Sequence, residues 1–388
     1  MNSNLKKRVA VSAVFFLSGL CFASWASRIP DIKNTLGLNE GQLGGVLLGL
    51  PAGSLVALPL AGWMVHRYGS KKVVILSAIL YALFLPLLGL ANAVIELIGA
   101  VILFGLVGNL TNIAVNTQAV GVEFHYGKTI MASFHGLWSL AGFVGGAVGA
   151  AMIDLKVTPF YHFSIVGALC LLIILIAYRN MLSEDINKSS EQGLVFKKPD
   201  KLLLRIGIIA FCGMMCEGCM FDWSGVYFDK IVNVDASLTT LGYIAFMSTM
   251  ASGRFVADYF TQRFGAVALL QFSGILIFSG LLISVLFPSL IYATIGFLLV
   301  GAGTSSVIPL SFSIAGRSKT YSPGIALAMV STIAYFGFLF GPPIIGFIAE
   351  EFNLRFSFSL IAVVGALIAV LSWTGKPILK PASNTTKM

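Results

Sequence analysis

The chain has 388 residues, 57% of them hydrophobic and only 11% charged, with a mean hydropathy of +0.91. A water-soluble domain carries about a quarter charged residues, so this composition excludes an ordinary soluble protein and fits roughly twelve membrane crossings of about 20 apolar residues each. The formal net charge of +9 would suit a nucleic-acid binder in a soluble chain, but the placement of the basic residues by loop gives it another meaning.

Lys6, Lys7 and Arg8 precede an apolar run from Val9 to Ala26. The run is too long for a signal peptide, and no small-residue cleavage site ends it cleanly, so it reads as a retained first helix. Apolar spans then follow at 42–65, 73–91, 94–121, 130–153 and 160–180. The polar stretch 181–202, with several charges and Pro199, reads as a solvated linker. Six more spans lie at 203–228, 238–260, 266–287, 290–315, 323–349 and 355–374. The expected fold is therefore all-α, with twelve transmembrane helices in two six-helix bundles. The bundles occupy 1–180 and 203–388, joined by a cytoplasmic linker at 181–202.

Lys and Arg concentrate on alternate loops, on the side of the amino terminus, with only Arg28, Lys33, Lys156, Lys230 and Arg355 on the other. By the positive-inside rule both termini are expected in the cytoplasm. The basic excess is then a topology signal, and no nucleic-acid partner is needed to explain it. All five cysteines (Cys21, Cys170, Cys212, Cys216 and Cys219) fall in apolar spans and read as packing residues rather than as metal ligands.

The two halves look like copies. Arg67-Tyr68-Gly69 after the second span matches Arg263-Phe264-Gly265 after the eighth, and Gly105 matches Gly301 at the same offset. Gly142 and Gly146 match Gly337 and Gly341 at an offset one residue smaller. Gly142, Gly145, Gly146 and Gly149 read as a close-packing face, and Gly341-Pro342-Pro343 as a kink in the eleventh span.

The loop Gly62-Trp-Met-Val-His66-Arg67-Tyr-Gly69-Ser-Lys71-Lys72 resembles the major facilitator signature G-x-x-x-D-R-x-G-x-[RK]-[RK], with His66 in place of the usual acid. Further text includes Trp25-Ala-Ser-Arg28-Ile-Pro30, Asn112-Ile-Ala-Val-Asn116, His135-Gly-Leu-Trp138 and Glu217-Gly-Cys-Met-Phe-Asp222-Trp223. Together these strings resemble the YbjJ-like branch of bacterial inner-membrane proteins, which is distantly similar to fucose permeases. The resemblance implies a major facilitator fold and leaves the substrate open. Its pattern leads one to expect Asp at the position of Asn112, which puts proton carriage there in doubt.

The residues themselves suggest sites. Asn109, Asn112 and Asn116, with Glu123 beyond them, form one polar stripe on the fourth span, and such a stripe avoids lipid. It serves either helix packing or contact with a polar solute, and Asn109 and Asn116 are the chosen solute contacts. Glu217, near the middle of the seventh span, is the sharpest candidate for proton coupling, because an ionised carboxylate there is costly without a partner. Asp222, also expected among the proton-coupling residues, could pair with Arg28 to close the outer side. His135 could exchange protons with Glu123. Trp25, Trp138, Trp223, Tyr243 and Tyr335 could stack on a sugar-like or aromatic solute, although aromatic rings also anchor at membrane interfaces. Arg67, and Arg254 paired with Asp258, are expected at a cytoplasmic gate.

The leading expectation is a secondary active transporter of a small polar solute in the bacterial inner membrane. It is expected to be proton-coupled, without metal or cofactor, surrounded by lipid and functional as a monomer. An exporter of amphipathic metabolites or drugs, or a non-transporting sensor, are the alternatives. With no H-E-x-x-H, no P-loop and four dispersed histidines, at 66, 125, 135 and 162, nothing points to an enzyme.

Overall fold

A computed structural model describes residues 3–126, 130–184, 198–316, 318, 320–321 and 323–375. A bilayer offers no water to backbone N–H and C=O groups, so long apolar runs satisfy them internally as helices. In the first half these are α1 (Ser3–Leu36), α2 (Glu40–Leu47), α3 (Gly49–Tyr68), α4 (Ser70–Leu88), α5 (Val94–Tyr126), α6 (Met131–Asp154) and α7 (Pro159–Ala177). The second half supplies α8 (Lys201–Tyr227), α9 (Leu241–Phe264), α10 (Ala266–Leu286), α11 (Leu290–Ala315), α12 (Pro323–Glu351) and α13 (Leu354–Thr374).

The thirteen helices make twelve crossings, because α2 and α3 together form the second span. Asn39 opens that span with a reciprocal capping box to Gln42. Pro51, in the first turn of α3, has no N–H for the carbonyl four residues back, which accounts for the break between the two pieces. Eleven of the described spans are apolar enough to cross a membrane by length and composition. The remaining one is α9, which carries Arg254, Asp258 and Arg263. The chain is a multi-pass membrane protein. Leu83, Leu172, Leu175, Phe272, Ile275 and Val363 lie exposed on the spans; they would be anomalous in water and are in place against acyl chains.

The internal repeat is visible in the backbone. Ser70 and Ala266 open α4 and α10, 196 residues apart (266 − 70), and Val94 and Leu290 open α5 and α11 at the same spacing (290 − 94). Gly69 has φ 82°, ψ 148° and Gly265 has φ 84°, ψ 151°, a conformation closed to most L side chains. Each donates its N–H at 2.9 Å to the carbonyl four residues back, Val65 or Thr261.

Gly105 lies directly on the backbone of Leu50, and Gly301 directly on that of Phe246, so the two contacts repeat at the same spacing. Without a hydrophobic drive between helices in lipid, such close approach is what lets dispersion hold them. The Gly142/Gly146 match is used differently in the two halves. Gly337 and Gly341 pack on Phe211 and Met215 of α8, inside their own half. Gly142 and Gly146 face Met247 and Tyr243 of α9, across the halves, while Gly145 and Gly149 face Ala23 and Ser27 of α1. The four glycines thus serve two faces of α6 rather than one.

Pro342 and Pro343 lie inside α12, which runs through them as one helix. All five cysteines are buried. Of the polar stretch 181–202, residues 185–197 lie outside the described residues.

Candidate functional site

Arg254 of α9 is the centre of the polar interior. Its Nη2 donates to Glu217 Oε1 of α8 at 3.1 Å, and its Nη1 donates to Ser139 Oγ of α6 at 2.7 Å. One guanidinium therefore holds a carboxylate in its own half and a hydroxyl in the other. The side chains of Arg254 and Glu217 are 18% and 8% exposed, so the pair sits largely out of water, where each charge needs the other. Arg254 thus has an acid partner beyond the expected Asp258, whose side chain lies outside the described residues. Ser139 is not among the residues expected from the sequence, although it stands one turn beyond His135 on the same face of α6.

Next to this link lies an aromatic cluster drawn from both halves. Phe221 lies 5.1 Å from Phe22, 6.1 Å from Trp138 and 6.3 Å from Tyr243, ring centre to ring centre. Trp138 is half-buried and Tyr243 is buried. Phe22 and Phe221 were not among the expected site residues. Trp223 is fully buried and donates Nε1–H to the carbonyl of Pro342 at 3.1 Å, which makes it a packing residue between α8 and α12 rather than a free stacking platform. Tyr335 donates its hydroxyl to the carbonyl of Pro51 at 2.9 Å, a second polar contact between the halves.

The asparagine stripe splits. Asn109 donates to the carbonyl of Ser54 at 2.8 Å and is tied into the α3–α5 contact, so helix packing rather than solute contact accounts for it. Asn116 donates to Asn112 Oδ1 at 2.7 Å, and Asn112 is exposed. Exposed amides on a membrane span are costly against lipid, which favours an inward-facing position for these two. Glu123 accepts from the backbone N–H groups of Ile130 and Met131 at 2.7 and 2.8 Å, capping the start of α6. No contact joins it to His135 among the described residues. His135 is exposed, with its ring edge-on to Phe15 at 5.2 Å.

Arg28 and Asp222 do not form the expected pair. Arg28 donates to Asp31 Oδ2 at 2.6 Å, to the carbonyl of Val157 at 2.6 Å and to His162 Nδ1 at 3.2 Å. A cation this deeply buried takes every acceptor within reach, and Asp31, one turn on along α1, is nearer than anything on α8. Asp222 is 6% exposed, with no hydrogen bond or ion pair among the described residues.

At the end away from the amino terminus the halves meet closely. Asn34 donates to Asp229 at 3.1 Å, Asn39 donates to Glu350 at 2.7 Å, and Gly44 lies against Gly346. Arg67 is exposed on the amino-terminal face.

Residues 11–322 match the family model described as Major Facilitator Superfamily. The chain is a member of that superfamily. It is 33% identical over 365 residues to an uncharacterized MFS-type transporter of Yersinia pestis, covering 94% of each chain. Among solved structures, this superfamily member is similar to the nucleoside transporter NupG (TM-score 0.77, 12% identity, 98% of this chain and 100% of that one). It is similar also to a bacterial homolog of the human lysosomal transporter Spinster in an inward-facing, unoccupied conformation (TM-score 0.74, 15% identity, 98% of each chain). The twelve-helix major facilitator fold expected from the sequence is thereby established, and the protein is a membrane transport protein, not an enzyme.

Proposed function

We propose that the protein carries a small polar solute across the bacterial inner membrane by alternating access, coupled to protons at the Glu217–Arg254 link. The observation that carries this reading is the double engagement of Arg254 with Glu217 in one half and Ser139 in the other. A proton on Glu217 removes the charge that holds the guanidinium, and the contact to Ser139 then changes with it. Chemistry at one carboxyl is in this way linked to the fit between two bundles, 1–180 and 203–388, that rock about the linker 181–202.

Close contact at the end away from the amino terminus, with Asn112 and His135 exposed toward the other, supports a state open on the amino-terminal side. The loop distribution of Lys and Arg supports that side as cytoplasmic. The inward-facing Spinster homolog shares the fold. Self-contacts within the aromatic cluster leave the exporter of amphipathic compounds without a specific observation in its favour. The sugar-like element of the proposal rests on the fucose-permease resemblance and on Asn112, Asn116 and Trp138.

The test is proton movement in proteoliposomes against a panel of sugars and small metabolites, wild type beside Glu217→Gln. Solute-dependent proton flux that the substitution abolishes supports coupling at Glu217. Solute movement without proton flux, unchanged in the variant, overturns it.

A further inference from the structure

Among the described residues, the charges of the interior do not balance. Arg254 is matched by Glu217, and Arg28 by Asp31. Asp222 is left over, buried and with no cation or hydrogen-bond donor among the described residues.

Its surroundings are unfinished in the same way. Trp25 Nε1 and the Tyr243 hydroxyl are buried with no hydrogen-bond partner, and the Tyr243 ring lies 6.3 Å from that of Phe221, the residue before Asp222. These groups lie at one depth. Helices α1 and α8 both start at the amino-terminal face, Phe22 meets Phe221 edge-on, and Gly225 faces Pro30, so Trp25 and Asp222 fall at the same level between those contacts. Tyr243 joins them through its ring contact with Phe221. Gly218, one turn before Asp222, faces Phe338 of α12, so the acid sits on the part of α8 between α1 and α12, toward the interior.

Buried polar groups are nearly always paired; Trp25 Nε1 and the Tyr243 hydroxyl are not, and with the unpaired carboxylate of Asp222 they call for a missing partner. The other titratable groups at this level are few. Cys219 lies one turn down on α8 and Tyr243 is on α9. The nearest cation on α1, Arg28, is fully engaged, and Tyr335 on α12 is committed to Pro51.

We infer that Trp25, Asp222 and Tyr243 form a recognition subsite for a small polar solute that carries a protonated amine together with an oxygen acceptor. The ammonium donates to the Asp222 carboxylate and supplies the absent charge. Trp25 Nε1–H is a donor only, so it requires an oxygen on the solute. The Tyr243 hydroxyl serves either role. The inference rests on the transport reading for calling this ligand cargo, and it narrows that reading from a neutral sugar to an amine-bearing solute.

The experiment is equilibrium binding to the purified full chain in lipid nanodiscs, so that failure of transport does not confound it. The probes are matched sets: glucosamine, glucose and glucuronate; tyramine and 4-ethylphenol. Amine members are expected to bind at least about tenfold more tightly than their neutral partners, the scale of one charge-assisted hydrogen bond. Asp222→Asn removes that preference, whereas Asp235→Asn, an exposed carboxylate elsewhere, keeps it. Tyr243→Phe guards against misfolding. It deletes a hydroxyl that has no partner in the free protein, so thermal stability holds or rises while amine binding weakens.

Equal binding of neutral and amine members, preference for the anion, no amine binding at all, or a preference that survives Asp222→Asn each overturns the inference. Solute transport found alongside any of those results would leave the transport reading standing and reject only the subsite.

Discussion

Replacing Glu217 by Gln keeps the size and one acceptor oxygen but removes the negative charge facing Arg254. Removing one partner of a buried ion pair costs about 3–5 kcal/mol, and a hydrogen bond to a charged group is worth about 1.5–3 kcal/mol. Arg254 keeps its bond to Ser139, and its side chain retains 18% exposure. The expected loss for Glu217→Gln is therefore at the lower end, about 2–3 kcal/mol. Arg254→Gln strands the carboxylate, which is only 8% exposed, and its loss is at least as large. The double variant buries no unmatched charge at this position. Its loss is expected to fall short of the sum of the single losses by at least about 1.5 kcal/mol. Equilibrium unfolding in mixed micelles, followed by tryptophan fluorescence, measures all four corners of the cycle. Single effects that add to within about 0.5 kcal/mol would refute the idea that the two residues hold each other.

Further expectations follow from the repeat and from the topology. Gly105→Val and Gly301→Val should each sharply reduce folded yield, because a side chain at either position meets backbone, whereas Gly62→Val and Gly99→Val, which face open space, should express normally; equal yields would contradict the packing account. A membrane-impermeant maleimide applied to intact cells should label Lys230→Cys, but should reach Lys72→Cys only after permeabilisation; the reverse pattern would invert the proposed orientation. Glu123→Ala should destabilise the start of α6 by about 1 kcal/mol, as loss of a helix cap does, without changing the pH dependence of transport. A shifted pH profile would restore Glu123 as a proton carrier.

The spans were legible in the sequence because lipid imposes one rule on every backbone group, so apolar length alone located the helices. Even α9, whose charges take it below a stricter apolarity criterion, was legible as the apolar run 238–260. Gly69, Gly265, Gly105 and Gly301 were legible because a positive φ or a backbone contact tolerates little else. The partners were not. Glu217 and Arg254 are 37 residues apart on different helices, and nothing local says which acid a guanidinium will reach. Asp222 looked as suitable for Arg28 as Asp31, the acid that holds it. Asn109 and Glu123 carried the right chemistry for a solute or proton path, yet a carbonyl of α3 and the open amides of α6 lay closer. Polar residues in a membrane announce that they face inward. Whether they meet a neighbour or a solute depends on packing that a single span does not encode.

The claim that the two halves alternate around a central site is tested most directly at the end where they touch. Asn34 and Asp229 are joined by a 3.1 Å hydrogen bond between the halves. A cysteine pair at these two positions should close into a disulfide under oxidant in the membrane. Uptake of the solute identified in proteoliposomes should then stop on oxidation and return on reduction, while each single cysteine variant transports throughout. Undiminished uptake by the fully cross-linked protein would contradict alternating access across this contact.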